Sequence, residues 1–146
     1  MRSEIISKDI GNIAEINFIH RFITHRVPVS IPYGNAEPYD IIIETIEGFK
    51  SIQIKNANYK DGKVTAYIDN RQGYSNYTHN SYKGVVDYLG IYCPQLDECY
   101  IIPSNELNNY SITLRIDEPK IKYLKTLKFG KDYLLSDFIY NLNINK

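Results

Sequence analysis

The spacing of apolar residues predicts one helix near the start of the chain and another near its end. Between Ser7 and about Thr24, apolar residues recur at steps of three and four, with Ser7 or Asp9 available as the N-cap. The segment from Tyr133 to Leu142 has the same spacing and predicts a second helix. The first apolar face consists of Ile10, Ile13, Ala14, Phe18 and Phe22, and the second of Leu134, Leu135, Phe138, Ile139 and Leu142.

Short apolar runs between these helices predict strands, and polar or proline-rich stretches predict the loops that join them. An α/β or α+β fold follows from this order, and one domain over residues 1–146 is expected because single domains commonly have about 100 to 150 residues. The predicted strands are Asp40 to Ile46, Phe49 to Asn56, Val64 to Ile68, Val86 to Cys93, Glu98 to Pro103 and Ser111 to Ile116. Arg26 to Asn35 is predicted to be a loop or an irregular strand, and Asp69 to Gly84 a long loop.

Composition and charge restrict the function classes that remain. The formal net charge is zero and the sequence pI is about 6.8, so bulk positive charge cannot be what binds nucleic acid, and any polyanion site must be local. No apolar run is long enough for a membrane span, and the start of the chain lacks the pattern of a signal peptide, so we expect a cytoplasmic protein with no membrane partner. Cys93 and Cys99 lack zinc-site spacing and are expected to be buried free thiols.

The hairpin around Gly48 brings three polar side chains together. Side chains alternate along a strand, so Gln53 and Lys55 share one face, and antiparallel pairing puts Asp40 beside them. Asp40 offers the hard oxygen that Mg²⁺ prefers, Gln53 offers an amide oxygen, and Lys55 offers a positive charge for a phosphate and its attacking water. Glu44 is about 13 Å along the strand from Asp40, too far to bind the same ion.

A purely structural reading of this hairpin also fits the sequence. In that reading Asp40 caps the turn that follows a proline, and Lys55 packs its aliphatic stem on the sheet while its charge stays in water. Spacing alone leaves the two readings open.

These motifs resemble the PD-(D/E)XK nuclease superfamily. The matching features are Asp40, a turn, then Gln53-Ile54-Lys55, preceded by a helix that contains Gly11-Asn12-Ile13-Ala14-Glu15. The resemblance is strongest to the small branch that includes intron-encoded homing endonucleases, which has Gln-x-Lys where most relatives have Glu-x-Lys. A second hairpin, with Val86-Asp87-Tyr88, Tyr92-Cys93-Pro94 and Tyr100-Ile101-Ile102-Pro103, extends the match over residues 8 to 104.

The resemblance implies a restriction-endonuclease-like core, a mixed β-sheet flanked by helices, with a metal site at its edge. It further implies that Glu15, Asp40 and Gln53 surround Mg²⁺, for which Mn²⁺ can substitute, and that Lys55 assists the attacking water. Gln53 departs from the usual carboxylate of the superfamily, and this substitution should weaken metal binding because it removes a negative charge.

The polar segment after the site supplies the expected DNA contacts. Arg71, Asn76 and Asn80 have side chains that can read bases, and Lys83 can bind a phosphate. The alternative is a polar loop whose tyrosines pack on the sheet.

The expected function is therefore a metal-dependent endonuclease that hydrolyses double-stranded DNA, sequence-specific and of the homing type. One site per chain cuts one strand, so a double-strand break requires a homodimer or homotetramer. Two alternatives stay open, a nuclease that resembles Holliday-junction resolvases and a catalytically silent DNA-binding module, and Gln53 is the residue that favours the second.

Overall fold

The first helix packs on a sheet through a narrow apolar stripe. The structure, a computed structural model, describes residues 6–68, 82–108, 110–118 and 127–145. Helix α1 spans Ser7–Thr24, as predicted, and buries Ala14, Phe18 and Phe22.

Two details of the prediction for α1 are wrong. Ile6 is the N-cap residue and no side chain caps the helix, so neither Ser7 nor Asp9 has that role. Ile10 and Ile13 are 37% and 41% exposed, because Ile13 lies about 100° around the helix from the buried stripe and Ile10 lies in the first turn.

The described residues form nine strands in two sheets. The first sheet has the strand order β1-β2-β3-β6-β7, and the second has the order β4-β5-β8-β9. The strands are β1 (Val29–Ser30), β2 (Ile41–Thr45), β3 (Gly48–Asn56), β4 (Asn58–Lys60), β5 (Lys63–Tyr67), β6 (Tyr88–Cys93), β7 (Glu98–Pro103), β8 (Ser111–Arg115) and β9 (Lys128–Phe129).

Antiparallel hairpins and one parallel pair make the first sheet mixed. Strands β2 and β3 pair antiparallel with Ile41 opposite Ile52, and the turn between them uses Gly48 at φ +109°, a conformation that favours glycine. Strand β3 pairs in parallel with β6, and β6 pairs antiparallel with β7. Both predicted hairpins are therefore confirmed.

One continuous stretch of chain contributes a strand to each of the two sheets. Only Ala57 separates β3 from β4, so the chain leaves the first sheet and enters the second almost without interruption. The predicted strands near Val64 and Ser111 are present as β5 and β8. The short strands β4 and β9 and the division into two sheets were not predicted.

The first sheet lies between two apolar cores. On one face, Phe18, Ile52 and Ile54 pack with helix α2 (Leu135–Ile144), whose Leu135 and Ile139 are buried. On the other face, residues of both sheets form a second core. The resulting order of layers is helices, first sheet, second sheet, a mixed α+β architecture that confirms the predicted fold class.

One glycine lets α1 approach the sheet closely. A Cβ atom built on Gly90 of β6 would lie 2.7 Å from two ring carbons of Phe18, so any side chain larger than hydrogen would displace the helix. This contact keeps α1 close to the sheet.

Within the described residues, no helix is long and apolar enough to cross a membrane.

Candidate active site

Asp40 is bonded to the strand that carries the other predicted site residues. Its backbone N–H donates to the carbonyl oxygen of Ile52 at 2.9 Å, which extends the β2–β3 ladder by one bond. Its carboxylate oxygen Oδ2 then accepts from the backbone N–H of Ile54 at 2.7 Å. The hairpin therefore holds the Asp40 carboxylate beside the part of β3 that contains Gln53 and Lys55, as the strand geometry predicted.

Glu15 reaches the same place from helix α1. The pKa of Glu15 is raised, first by burial and then by the charge of Asp40 and a side-chain contact with it. The pKa of Asp40 is also raised by burial, against the opposing effects of the Ile54 N–H, the charge of Lys55 and the contact with Glu15. Two half-buried carboxyl groups thus contact each other, and burial opposes the ionisation of both.

Gln53 is the next residue along β3 from Ile52, whose carbonyl oxygen bonds to the Asp40 N–H. Its side chain is half-buried, and its Nε2 donates weakly to the backbone carbonyl of Ile54 at 3.4 Å. The amide oxygen is the remaining acceptor of this side chain.

The Lys55 ammonium lies over an aromatic ring. Its Nζ is 5.4 Å from the ring centroid of Tyr82, a side chain that is only 5% exposed. Its positive charge also lowers the pKa of Asp40, so it is within electrostatic reach of that carboxylate. No pattern in the sequence distinguishes Tyr82 from the other tyrosines among the 14 of the chain.

The donor set suits a hard divalent cation. Two carboxylates and an amide oxygen are the ligand types that Mg²⁺ and Mn²⁺ take, and the repulsion between Glu15 and Asp40 is what a bound cation would relieve. Among the described residues, no group of three His, Cys, Asp or Glu side chains could hold a metal ion. Gln53, the third residue proposed from the sequence, is an amide and does not belong to these residue types.

Comparison with known proteins identifies the family. The model of the PD-(D/E)XK endonuclease family matches residues 5–136, which is most of the chain. The chain belongs to the PD-(D/E)XK endonuclease family. The resemblance of the sequence to the PD-(D/E)XK nucleases is thus confirmed.

A solved structure shows the same fold. The bacterial homing endonuclease I-Ssp6803I superposes with a TM-score of 0.69 over 97% of this chain and 97% of its own, at 16% sequence identity. No curated protein matches the sequence. At this identity the similarity establishes a common fold for the two chains.

The other residues singled out in the sequence lie at other positions of the described chain or outside the described residues. Lys83 is exposed and follows Tyr82, and its backbone bridges to Val86 at the approach to β6. Arg71, Asn76 and Asn80, with the rest of residues 69–81, lie outside the described part of the chain. Glu44 is exposed and pairs with Phe49, far along β2 from the site.

The cysteines are structural, as predicted. Cys93 and Cys99 are free and fully buried, and burial raises the pKa of the Cys99 thiol to about 12. Arg21 of α1 donates to the Cys99 sulfur and forms a 3.1 Å ion pair with Asp97 in the turn after β6. This cluster ties α1 to the β6–β7 hairpin.

Proposed function

We propose that this protein is a divalent-metal-dependent endonuclease that hydrolyses phosphodiester bonds in double-stranded DNA at a defined sequence. The observation that carries the proposal is the bond between the Asp40 carboxylate and the Ile54 N–H, together with the contact of that carboxylate with Glu15 and the effect of the Lys55 charge on it. Membership of the endonuclease family supports DNA as the substrate.

Each residue has a distinct role in the proposed site. Asp40, Glu15 and Gln53 hold Mg²⁺, or Mn²⁺ in its place. When bound, such a cation polarises the scissile phosphate and supports the attacking water. Lys55 neutralises the developing negative charge on the phosphate and orients the water by hydrogen bonding. The Lys55 charge already lies within electrostatic reach of Asp40.

The burial of the carboxylate pair has a consequence for binding. In the absence of a cation, the raised pKa values of Glu15 and Asp40 mean that full ionisation of the pair is opposed by desolvation and by mutual repulsion. A cation binds the ionised form of both carboxyl groups, so its affinity should rise with pH through the range in which the pair loses its protons.

DNA contact is proposed for the segment that leads to Tyr82. Arg71, Asn76 and Asn80 would read bases, and Lys83 would bind a phosphate. Lys83 is exposed next to Tyr82, whose ring touches the Lys55 ammonium, so this end of the segment lies near the site.

The proposed enzyme is of the homing type and works as a homodimer or homotetramer. The fold similarity to a bacterial homing endonuclease supports this type over the resolvase-like alternative. One chain carries one such site, so the two strands of a duplex need two chains related by two-fold symmetry.

A silent DNA-binding module remains the second candidate, because Gln53 leaves the site one carboxylate short. Incubation with linear duplex DNA and with four-way-junction DNA, each with Mg²⁺ and with chelator, separates the possibilities. The proposal predicts Mg²⁺-dependent cutting of duplex that contains the target. Cutting restricted to junctions would favour the resolvase, and binding without cutting in either Mg²⁺ or Mn²⁺ would favour the silent module.

A further inference from the structure

Tyr82 stands directly against the lysine of the site. Its ring centroid is 5.4 Å from the Lys55 Nζ, within the range in which a cation is attracted to an aromatic face. The ring is 5% exposed and belongs to the core between the two sheets, so its position is fixed by packing. An ammonium that contacts such a ring is restrained by the core itself.

The backbone also fixes Tyr82. Its carbonyl oxygen accepts from the N–H groups of Val85 at 3.0 Å and Val86 at 3.3 Å, which closes a turn just before β6. Strand β6 pairs in parallel with β3 and places Ile91 opposite Lys55. Lys55 therefore lies on β3, and Tyr82 lies in the turn that leads into β6, the strand paired directly with β3.

Among the described residues, no hydrogen bond or ion pair holds the Lys55 ammonium, whose long stem allows many positions. A carboxylate partner would fix the ammonium but would also cancel the charge that a phosphate needs. An aromatic face restrains the ammonium by electrostatic attraction and leaves its net charge intact.

We propose that Tyr82 is a positioning residue that holds the Lys55 ammonium toward Asp40 and the scissile phosphate through the face of its ring. The inference rests on the proposed function and adds a specific requirement to it, an aromatic side chain at position 82. The same residue joins the site to the segment proposed to contact DNA.

The test compares two substitutions at Tyr82 with one matched control. Tyr82→Phe keeps the ring and removes the hydroxyl, whereas Tyr82→Leu keeps apolar bulk and removes the ring. Tyr100→Leu is the control, because Tyr100 is 3% exposed in the same core and lies in the same cross-strand row, opposite Ile91 and two strands from Lys55. All measurements are made well below the melting temperature of each full-length variant.

The first readout is single-turnover cleavage of target DNA at saturating protein and Mg²⁺. Tyr82→Phe should cut within about threefold of the wild-type rate, because a phenylalanine face still attracts a cation. Tyr82→Leu should lose about 10- to 100-fold, the size of effect expected when a reacting group is misplaced by about 1 Å. Tyr100→Leu should cut at the wild-type rate.

The second readout needs no activity. In NMR spectra of the full-length protein, the methylene protons next to the Lys55 ammonium should show an upfield ring-current shift. This shift should persist in Tyr82→Phe and in Tyr100→Leu and disappear in Tyr82→Leu.

If the wild type cuts DNA and Tyr82→Leu cuts it equally fast, the proposed role of Tyr82 is wrong. The proposed function still holds in that case. A missing ring-current shift in wild type would overturn the contact. An inert wild type would contradict the proposed function, and the catalytic role of Tyr82 with it.

Discussion

The carboxylate oxygen Oδ2 of Asp40 accepts a 2.7 Å hydrogen bond from the backbone N–H of Ile54. Asp40 comes just before β2 begins at Ile41, while β3 continues past this level to Asn56, so a side chain takes the place of a backbone acceptor. The Asp40 carboxylate also contacts the side chain of Glu15 on α1. One residue thus completes the sheet and contributes to the proposed metal site.

Asp40→Ala should be less stable than Asp40→Asn. Asparagine keeps an acceptor for the Ile54 N–H, whereas alanine leaves a half-buried donor without its partner, a loss of about 1–3 kcal/mol in the free energy of unfolding. Urea denaturation of both variants at pH 7 without metal measures the difference. Equal stabilities would show that the bond between these residues contributes nothing to the fold.

Glu15→Gln should stabilise the metal-free protein at neutral pH. The folded-state pKa of Glu15 lies above its ordinary value of 4.5, so ionisation opposes folding. This penalty is absent below pH 4.5, grows as pH rises through that value, and is complete above the raised pKa. The advantage of Glu15→Gln over wild type, from denaturation at several pH values, should follow the same course. Glu44→Gln, at an exposed position on β2, is the control and should show no such trend.

Gly90→Ala should destabilise the fold, and Gly11→Ala should not. A methyl group at position 90 would meet the Phe18 ring, at a cost of about 1–3 kcal/mol, and would push α1 and Glu15 away from the sheet. Gly11 of α1 has no atom within 4 Å of an added Cβ, so alanine there should stabilise the helix by up to about 1 kcal/mol. Thermal melts of both variants make the comparison, and a Gly90→Ala variant as stable as wild type would contradict the close packing of α1.

The periodicity of the sequence predicted most of the elements that build the site. Strand alternation and one glycine turn were enough to place Asp40 level with Gln53, because pairing in a short hairpin follows from local sequence. The bounds of α1 followed from apolar spacing of three and four residues. These predictions succeed because each depends on residues close together in the chain.

The same reasoning could not predict contacts between segments that lie far apart in the chain. Glu15 was chosen through family resemblance alone, and the helix that carries it packs closely on the sheet at Gly90, 75 residues further along. Tyr82 meets Lys55 only because β6 pairs in parallel with β3. The division into two sheets depends on where the chain bends at Ala57, which carries no turn signal.

Gln53→Glu should lower the Mg²⁺ concentration needed for half-maximal cutting. The variant adds a negative charge at nearly constant size, so it should bind the cation more tightly while Lys55 and Asp40 stay in place. A nicking assay across an Mg²⁺ titration, with wild type in parallel, gives the two midpoints. An unchanged midpoint would show that position 53 does not face the metal.

Metal-dependent cleavage by wild type and by Asp40→Asn, measured side by side, tests the central claim most directly. The substrate is a pool of long duplex DNA that contains the target, and the Asp40→Asn protein is first shown to be folded and to bind the same DNA. We predict cutting by wild type that requires Mg²⁺ and is abolished by chelator, and a loss of at least about 100-fold in Asp40→Asn, since one metal-ligand charge is removed. Undiminished cutting by Asp40→Asn, or wild-type cutting that persists in chelator, would contradict the account.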